Sequence, residues 1–259
     1  MSYSVILVED EMLVLEDLAS TTEWNRLGLN LIATATNGLE GEDKIKTLEP
    51  DIVITDIRLP GQDGLEMLSH CPVSHAIILS GYTNFSYMQS AIRLGVFDYL
   101  QKPLDSEEFE ATLLKLVDKI KEEDLELINF RKQNEKSSNG LINLPQSVEN
   151  HVVNSAIIYF SNNYSHPIGL QEASIALNIS ESHLSRLFKE VTGLNFLSYL
   201  NAWRVNKSIE MMKDTRQIIS EVAINCGFPT PGYYAKIFRR FIGLTPTQYR
   251  DENISKDYI

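Results

Sequence analysis

Four apolar runs in this chain each end on residues that could hold a cation, accept a group or donate a hydrogen bond. Val5-Ile6-Leu7-Val8 leads into Glu9-Asp10-Glu11, Ile52-Val53-Ile54-Thr55 into Asp56, Ala76-Ile77-Ile78-Leu79 into Ser80, and Phe97-Asp98-Tyr99-Leu100-Gln101 into Lys102-Pro103. A carboxylate attacks phosphorus poorly unless the phosphoryl charge is neutralised. Mg2+ supplies that neutralisation through oxygen ligands, commonly one or two carboxylates and waters. Glu9, Asp10 and Asp56 suit such an ion. Lys102 can pair with a phosphoryl oxygen as a point charge, and Ser80 can hydrogen-bond another. The chemistry expected is a phosphoryl group carried on Asp56. Taken singly, an aspartate at a strand end is more often a turn or cap residue, and a Lys-Pro pair is usually a loop. The ordered set at four strand ends carries the reading.

The elements that would position this set alternate along residues 1–105. Short apolar runs bounded by turn signals read as buried parallel strands. Leu31-Ile32-Ala33 adds a short second strand. Helical spacing recurs at Met12, Leu15, Leu18 and Ala19, then from Gly38 to Leu48 before Pro50, and from Asn84 to Leu94 before Gly95. Pro60-Gly61 and Asp63-Gly64 mark a loop after Asp56. Ser106-Glu107-Glu108 is expected to cap a fifth helix. Five parallel strands alternating with five helices give a doubly wound α/β domain, whose ligand crevice lies at the carboxyl ends of the strands. The stripe Leu113, Leu116, Ile120, Leu127 and Phe130, interrupted by Glu123-Asp124, fits either a short coiled coil or the fifth helix's own core face. Ser137-Ser138-Asn139-Gly140 is the expected linker break.

Charge divides the chain. Of a formal net of −12 over 259 residues, residues 1–120 carry 8 Lys+Arg against 20 Asp+Glu, residues 121–150 carry 4 against 6, and residues 151–259 carry 11 against 9. An acidic first half and a slightly basic second half suggest two domains with different partners. No run approaches the about 18–20 apolar residues that span a membrane. The N-terminus lacks a basic flank and a cleavage site, so Val5–Val8 reads as a strand and the protein as cytoplasmic. Cys71 and Cys226 read as two reduced core thiols.

The second half repeats itself. With a shift of 50, Ile168 falls on Ile218, Ala173 on Ala223, Arg186-Leu187-Phe188-Lys189 on Lys236-Ile237-Phe238-Arg239, Gly193-Leu194 on Gly243-Leu244, and Tyr199 on Tyr249. Each unit reads helix, turn, helix, with turns at Leu177-Asn178-Ile179 and Cys226-Gly227-Phe228. Ser180 and Thr230 are the expected caps of the second helices, Thr230 with Pro231 at the tolerated first position. Val152, Val153, Ala156, Ile157 and Phe160 form the apolar face of a preceding helix. Phe196 to Met212 reads as one helix joining the units. Two helix-turn-helix motifs fit better than a longer array, which needs about three or more repeats. A helix-turn-helix puts its second helix in the DNA major groove. Ser182, Ser185, Arg186 and Lys189 lie opposite the core-facing Leu184, Leu187 and Phe188. Gly232, Ala235, Lys236, Arg239 and Arg240 are presented by the matching helix. Arg186 can read guanine in bidentate fashion, whereas Gly232 and Ala235 offer little polar readout. Unit one is therefore expected to carry more base specificity and unit two to grip phosphate. Tyr233 and Tyr234 are expected to be part core and part phosphate contact.

Residues 1–120 resemble the receiver domain of two-component response regulators. The resemblance rests on Val8-Glu9-Asp10-Glu11, Thr55-Asp56-Ile57-Arg58-Leu59-Pro60-Gly61, Asp63-Gly64, Leu79-Ser80-Gly81-Tyr82, Gly95-Val96-Phe97-Asp98-Tyr99-Leu100 and Lys102-Pro103. It implies phosphorylation of Asp56 by a sensor histidine kinase. It implies Mg2+ held by Asp10, Asp56 and the Arg58 backbone carbonyl, with Glu9 acting through water. It implies a switch pair in Ser80 and Tyr99, and a cis Lys102-Pro103 bond.

Residues of about 150–250 resemble the AraC/XylS-type DNA-binding domain. Here the carriers are Leu184-Ser185-Arg186-Leu187-Phe188-Lys189, Thr192-Gly193, Tyr199-Leu200 and Arg204. They continue in Val222-Ala223, Gly227-Phe228, Pro231, Tyr233-Tyr234, Phe238, Gly243-Leu244-Thr245-Pro246 and Tyr249-Arg250. By position, Ser182, Ser185 and Arg186 match that family's base-reading sites, as do Gly232, Ala235 and Lys236. The family often carries longer polar residues where Gly232 and Ala235 stand.

Together these imply a receiver over 1–120, a helical linker over 121–147, a DNA-binding domain over 148–252 and a tail over 253–259. The implied partners are a sensor kinase, double-stranded promoter DNA, a second copy after phosphorylation, and RNA polymerase. The chain reads as a stoichiometric phosphoacceptor and not an enzyme. Two rivals are a Mg2+-dependent phosphotransferase or phosphatase using Asp56 as nucleophile and a phosphorylation-independent regulator binding a small molecule or protein. Against the first, Arg58 stands where an aspartate-based phosphatase would want a second acid. Against the second stands the intact acidic set with Ser80 and Lys102.

Overall fold

The computed structural model describes residues 2–71, 73–81, 85–134 and 141–253. Tyr82 of the serine motif, Asn84 at the expected start of the fourth helix, the Ser137–Gly140 break and the tail beyond Asn253 lie outside the described residues. The chain divides into two compact units, Met1–Glu122 and Glu123–Ile259.

Five parallel strands form the first unit's sheet: β1 (Tyr3–Val8), β2 (Leu29–Ala35), β3 (Ile52–Asp56), β4 (His75–Ser80) and β5 (Asp98–Gln101). Their order is β2-β1-β3-β4-β5, the doubly wound arrangement expected. The second strand is longer than the Leu31–Ala33 core of its signal. Between the strands run α1 (Met12–Thr21), α2 (Gly38–Leu48), α3 (Gly64–His70) and α4 (Phe85–Arg93). Because side chains alternate along a strand, each apolar run feeds two cores. Val5, Leu7, Ile52, Ile54, Ile77 and Leu79 pack with Leu15, Leu18 and Phe109. Ile6, Val8, Val53, Ala76 and Ile78 pack with Ile45, Met67 and Leu68 on the other face.

Local chemistry sets the helix starts. Asn37 accepts from the Glu40 N–H at 2.9 Å, while the Glu40 carboxylate accepts from the Thr36 N–H at 2.9 Å. Asp63 accepts from the Glu66 N–H at 2.7 Å. The fifth helix, α5 (Ser106–Asn134), is capped by Asp105 rather than by Ser106. The Asp105 carboxylate accepts from the N–H groups of Glu107 and Glu108 at 3.0 and 2.9 Å. An anionic cap also suits the positive end of the helix dipole. The α5 stripe turns out to serve two cores. Leu113, Leu116 and Ile120 lie in the first unit's core. Leu127 and Phe130 pack in the second unit's core, as do Ile142 and Leu144 of the expected linker. Glu123-Asp124, the interruption in the stripe, falls at the boundary between units.

The second unit is all helical: α6 (His151–Asn163), α7 (Leu170–Leu177), α8 (Glu181–Thr192), α9 (Phe196–Met212), α10 (Ile219–Asn225), α11 (Pro231–Ile242) and α12 (Pro246–Asn253). Its repeat is written in caps. Ser180 and Thr230 accept from the N–H groups of His183 and Tyr233, and Gly193 and Gly243 close α8 and α11 in the left-handed conformation at φ 75° and 89°. The repeat, however, does not hold one shift throughout. The turn bonds Ile179 N–H to Ser174 O and Asn178 N–H to Ile175 O correspond to Phe228 N–H to Ala223 O and Gly227 N–H to Ile224 O. These pairs are 49 apart, whereas the caps of α8 and α11 are 50 apart. The expected pairings of Ile168 with Ile218 and Ala173 with Ala223 are thus corrected by one: Ala173 corresponds to Val222, and both are fully buried. The second turn is longer by one residue.

Aromatic rings fill this core. Phe160 packs edge-on against Phe188 and Phe196, and Tyr234 against Phe238. Arg204 of α9 is 6% exposed, donating to the carbonyls of Tyr164 and His166 at 2.8 and 2.9 Å. Burial pulls its pKa down to about 10, still well above neutrality. Cys71 and Cys226 are both buried and unpaired, and burial pushes their thiols up to about 11 and about 12. Both are core thiols, as expected.

Candidate functional site

Strand register brings the polar strand ends together. Val8 pairs with Thr55, so Glu9 and Asp56 leave β1 and β3 at the same level. Asp56 pairs with Leu79, and Ser80 with Gln101, which sets Ser80 and Lys102 one step further along. Ligand oxygens of Glu9, Asp10 and Asp56 lie within 4.8 Å of one another. Glu9 is fully buried, Asp56 is 7% exposed and Asp10 is exposed. The Lys102 ammonium donates to an Asp56 carboxylate oxygen and to Glu9 Oε1, the latter at 2.8 Å. The Lys102 N–H donates to the Ser80 carbonyl at 2.7 Å, and the Lys102-Pro103 bond is cis, as expected.

Electrostatics follow from this crowding. Burial raises the Glu9 carboxyl above its ordinary pKa, and the Lys102 hydrogen bond opposes that rise. Burial alone would lower the Lys102 ammonium. Its hydrogen bonds to Asp56 and Glu9 outweigh that cost and hold it above the usual lysine value. One ammonium therefore bonds two of the three converging carboxylates, with Glu11 a further 3.8 Å neighbour. The remaining negative charge and the all-oxygen donor set match what a hard divalent cation takes. Arg58 is exposed, and its N–H donates to Asp56 Oδ1 at 3.0 Å, fixing the carboxylate's rotation. Ser80 is 1% exposed at the end of β4, and Tyr99 is half-buried beside the Ile6-Val8 core.

The second unit presents two equivalent helix faces. In α8, Leu184, Phe188 and Thr192 are buried, while Ser182, Arg186 and Lys189 are exposed and Ser185 is half-buried. In α11, Tyr234, Ile237, Phe238 and Phe241 are buried. Arg239 is exposed, and Gly232, Ala235, Lys236 and Arg240 are half-buried. Tyr234 corrects an expectation. It is fully buried with its hydroxyl on Met212 Sδ at 3.8 Å, so it belongs to the core and has no route to a phosphate. Tyr233 stays half-buried, its hydroxyl 3.4 Å from Asn201 Nδ2.

Residues 5–114 match the family of response regulator receiver domains, and residues 174–252 match a family of helix-turn-helix domains. The chain is also similar to the transcriptional regulatory protein HptR of Staphylococcus aureus. They are 28% identical over 254 residues, covering 95% of this chain and 98% of that relative. The chain is a response regulator with a helix-turn-helix DNA-binding domain.

Two solved structures resemble separate parts of this response regulator. Both come from AraT, a response regulator of Geobacillus stearothermophilus. Its REC domain is 31% identical, covering 48% of this chain and 98% of that one with a TM-score of 0.45. Its C-terminal domain is 29% identical, covering 44% and 94% with a TM-score of 0.41.

Sequence reasoning about the regulator's first unit missed Gly64 as more than a turn marker. A Cβ there would lie 2.0 Å from the Asp56 carbonyl oxygen and 2.9 Å from Thr55 Oγ1. The glycine lets the start of α3 pass against the backbone of Asp56. Glu11 of the acidic motif is carried to within 3.8 Å of Lys102 by the turn into α1. Among the described residues no helix is long and apolar enough to cross a membrane.

Proposed function

We propose that Asp56 is the phosphoacceptor of this response regulator and that its phosphorylation by a sensor histidine kinase controls promoter binding. The observation that carries the reading is the convergence of Glu9, Asp10 and Asp56 within 4.8 Å, with Lys102 bonded to two of them. Asp10, Asp56 and the Arg58 carbonyl would hold Mg2+, with Glu9 acting through water. Bound there, the ion supplies charge neutralisation for an incoming phosphoryl group. An Asp56 carboxylate oxygen takes the phosphoryl group from phosphohistidine, the P–N bond breaks, and the histidine leaves. The Lys102 ammonium exchanges its bond to Asp56 for one to a phosphoryl oxygen. The Ser80 hydroxyl donates to another, and the Tyr99 ring follows it inward. The chain is a stoichiometric acceptor, and its only turnover is slow loss of its own phosphate. The labelling experiment is direct: acetyl phosphate with Mg2+ should label the wild type. Excess EDTA or Asp56→Asn should abolish labelling. Undiminished labelling of the Asn variant would contradict the assignment.

The phosphorylated form favours a dimer on repeated promoter sites in the cytoplasm, where it meets RNA polymerase. This is a population shift in which the phosphoryl group binds the active conformation better. On DNA, the exposed Arg186 with Ser182 and Ser185 reads bases, and the α11 face around Gly232, Ala235, Lys236, Arg239 and Arg240 mainly grips phosphate with Lys189 of α8. Arg186→Ala should cost about 1–3 kcal/mol at its preferred base and relax sequence preference there. Lys236→Ala should weaken all sequences evenly and lower the salt slope by about one. Binding across a site library at two salt concentrations separates these outcomes. Equal loss on every sequence for Arg186→Ala would remove it as a base reader.

A further inference from the structure

The last turns of α5 carry two carboxylates that each take a cation from a different DNA-facing helix. Glu126 Oε1 lies 2.6 Å from Lys189 Nζ of α8. Asp124 pairs with the Arg240 guanidinium of α11. Asp124, Glu126, Lys189 and Arg240 all belong to the second unit, and Leu127 of the same turn is 5% exposed within the core that also holds Phe188 and Phe238. Both cations sit on the faces assigned to DNA. Lys189 follows Ser182, Ser185 and Arg186 at spacings of seven, four and three residues. Arg240 follows Lys236 and Gly232 at multiples of four. Such spacings share one helix face.

We propose that the acidic end of α5 is a clasp that competes with DNA phosphate for Lys189 and Arg240 and so lowers resting DNA affinity. This rests on the reading of α8 and α11 as the DNA-binding helices. A cation bonded to a carboxylate must release it before it can neutralise a phosphate. The clasp thereby removes two counterion-releasing contacts from the interface. The last turns of α5, with acids two residues apart, engage both helix-turn-helix units, so releasing them breaks one ion pair in each. Helix α5 begins only four residues after Lys102, so the clasp is carried on the stretch of chain that leaves the phosphoacceptor site.

The test uses the full chain and a mixed-sequence DNA duplex as probe, read by fluorescence anisotropy at several salt concentrations. Asp124→Asn and Glu126→Gln should each tighten binding about two- to fivefold, the range expected for breaking a partly exposed ion pair. The double variant should also steepen the salt slope by about two, one for each ion pair broken. Glu122→Gln, which removes the same charge from an exposed position of α5, should leave affinity within experimental error. In a Lys189→Gln background the gain from Glu126→Gln should vanish. Unchanged affinity in the double variant, or an equal gain from Glu122→Gln, would overturn the clasp. If that happens while Lys236→Ala still weakens binding, the DNA-binding reading stands without it. If wild type and variants alike ignore the duplex, the DNA-binding reading itself fails.

Discussion

Gly64→Ala is expected to unseat the phosphoacceptor while leaving its side chain untouched. The added Cβ would stand 2.0 Å from the Asp56 carbonyl oxygen and 3.1 Å from its carbonyl carbon. Both neighbours are backbone, so no side-chain rotation relieves the overlap. Either α3 moves out or the end of β3 moves back. The same loop holds the Gly64 N–H on the Ile57 carbonyl at 2.8 Å and the Arg58 N–H on Asp56 Oδ1 at 3.0 Å. Displacement therefore reaches the carboxylate itself. Overpacking of this kind costs about 1–3 kcal/mol or more. Acetyl-phosphate labelling should fall at least tenfold, since about 1.4 kcal/mol of misplacement suffices for that. Gly61→Ala is the informative comparison. Gly61 has φ +80°, and the nearest atom to an added Cβ is a Leu39 methyl at 3.4 Å. It should lose about 1–2 kcal/mol to left-handed strain yet keep its labelling. Thermal unfolding and labelling of the two variants side by side decide the matter. Wild-type labelling by Gly64→Ala would show that the close approach does not position Asp56.

Arg204→Ala is expected to unfold much of the second unit's order from the inside. The guanidinium donates to two carbonyls in the α6–α7 connection and lies 5.9 Å from the centre of the Phe228 ring. Gly227 packs against the same Tyr164 carbonyl, where a Cβ would come within 2.3 Å. One arginine thus ties α9, the α6–α7 connection and the turn of the second helix-turn-helix unit together. Truncation leaves carbonyls without a donor and opens a void in an aromatic core, for a loss of about 2–5 kcal/mol. Arg204→Lys should recover only part, because an ammonium lacks the planar fork that reaches both carbonyls. Chemical denaturation followed through Trp203 fluorescence would measure both. A loss below about 1 kcal/mol for Arg204→Ala would mean that solvent or neighbours satisfy those carbonyls.

The parallel sheet and its site were legible because buried strands announce themselves as unbroken apolar runs, and the residues ending those runs are where function gathers. Register then does what spacing alone cannot: it sets Glu9 beside Asp56 although 47 residues separate them. The harder features depend on backbone contacts with no local signature. Ser106 looks like a helix cap by type, yet it is the first helical residue, and the charged Asp105 one step earlier takes the first free N–H groups. The 50-residue repeat was visible in side chains of α8 and α11. The one-residue slip in their preceding turns shows only in which carbonyls the turn N–H groups find. The stripe from Leu113 to Phe130 read equally as a coiled coil or a core face, because either partner would select the same apolar spacing. Its resolution into two cores, with Asp124 and Glu126 turned to basic partners, required the tertiary fold.

On the reading proposed above, a phosphoryl group on Asp56 changes how the paired helices hold DNA. The most direct measurement is the affinity of the full chain for a duplex selected from a random library, with and without acetyl phosphate and Mg2+, for wild type and Asp56→Asn. Phosphorylated wild type should bind more tightly, and the Asn variant should not respond. Equal affinity of wild type in both conditions, with labelling of Asp56 verified in the same samples, would contradict it.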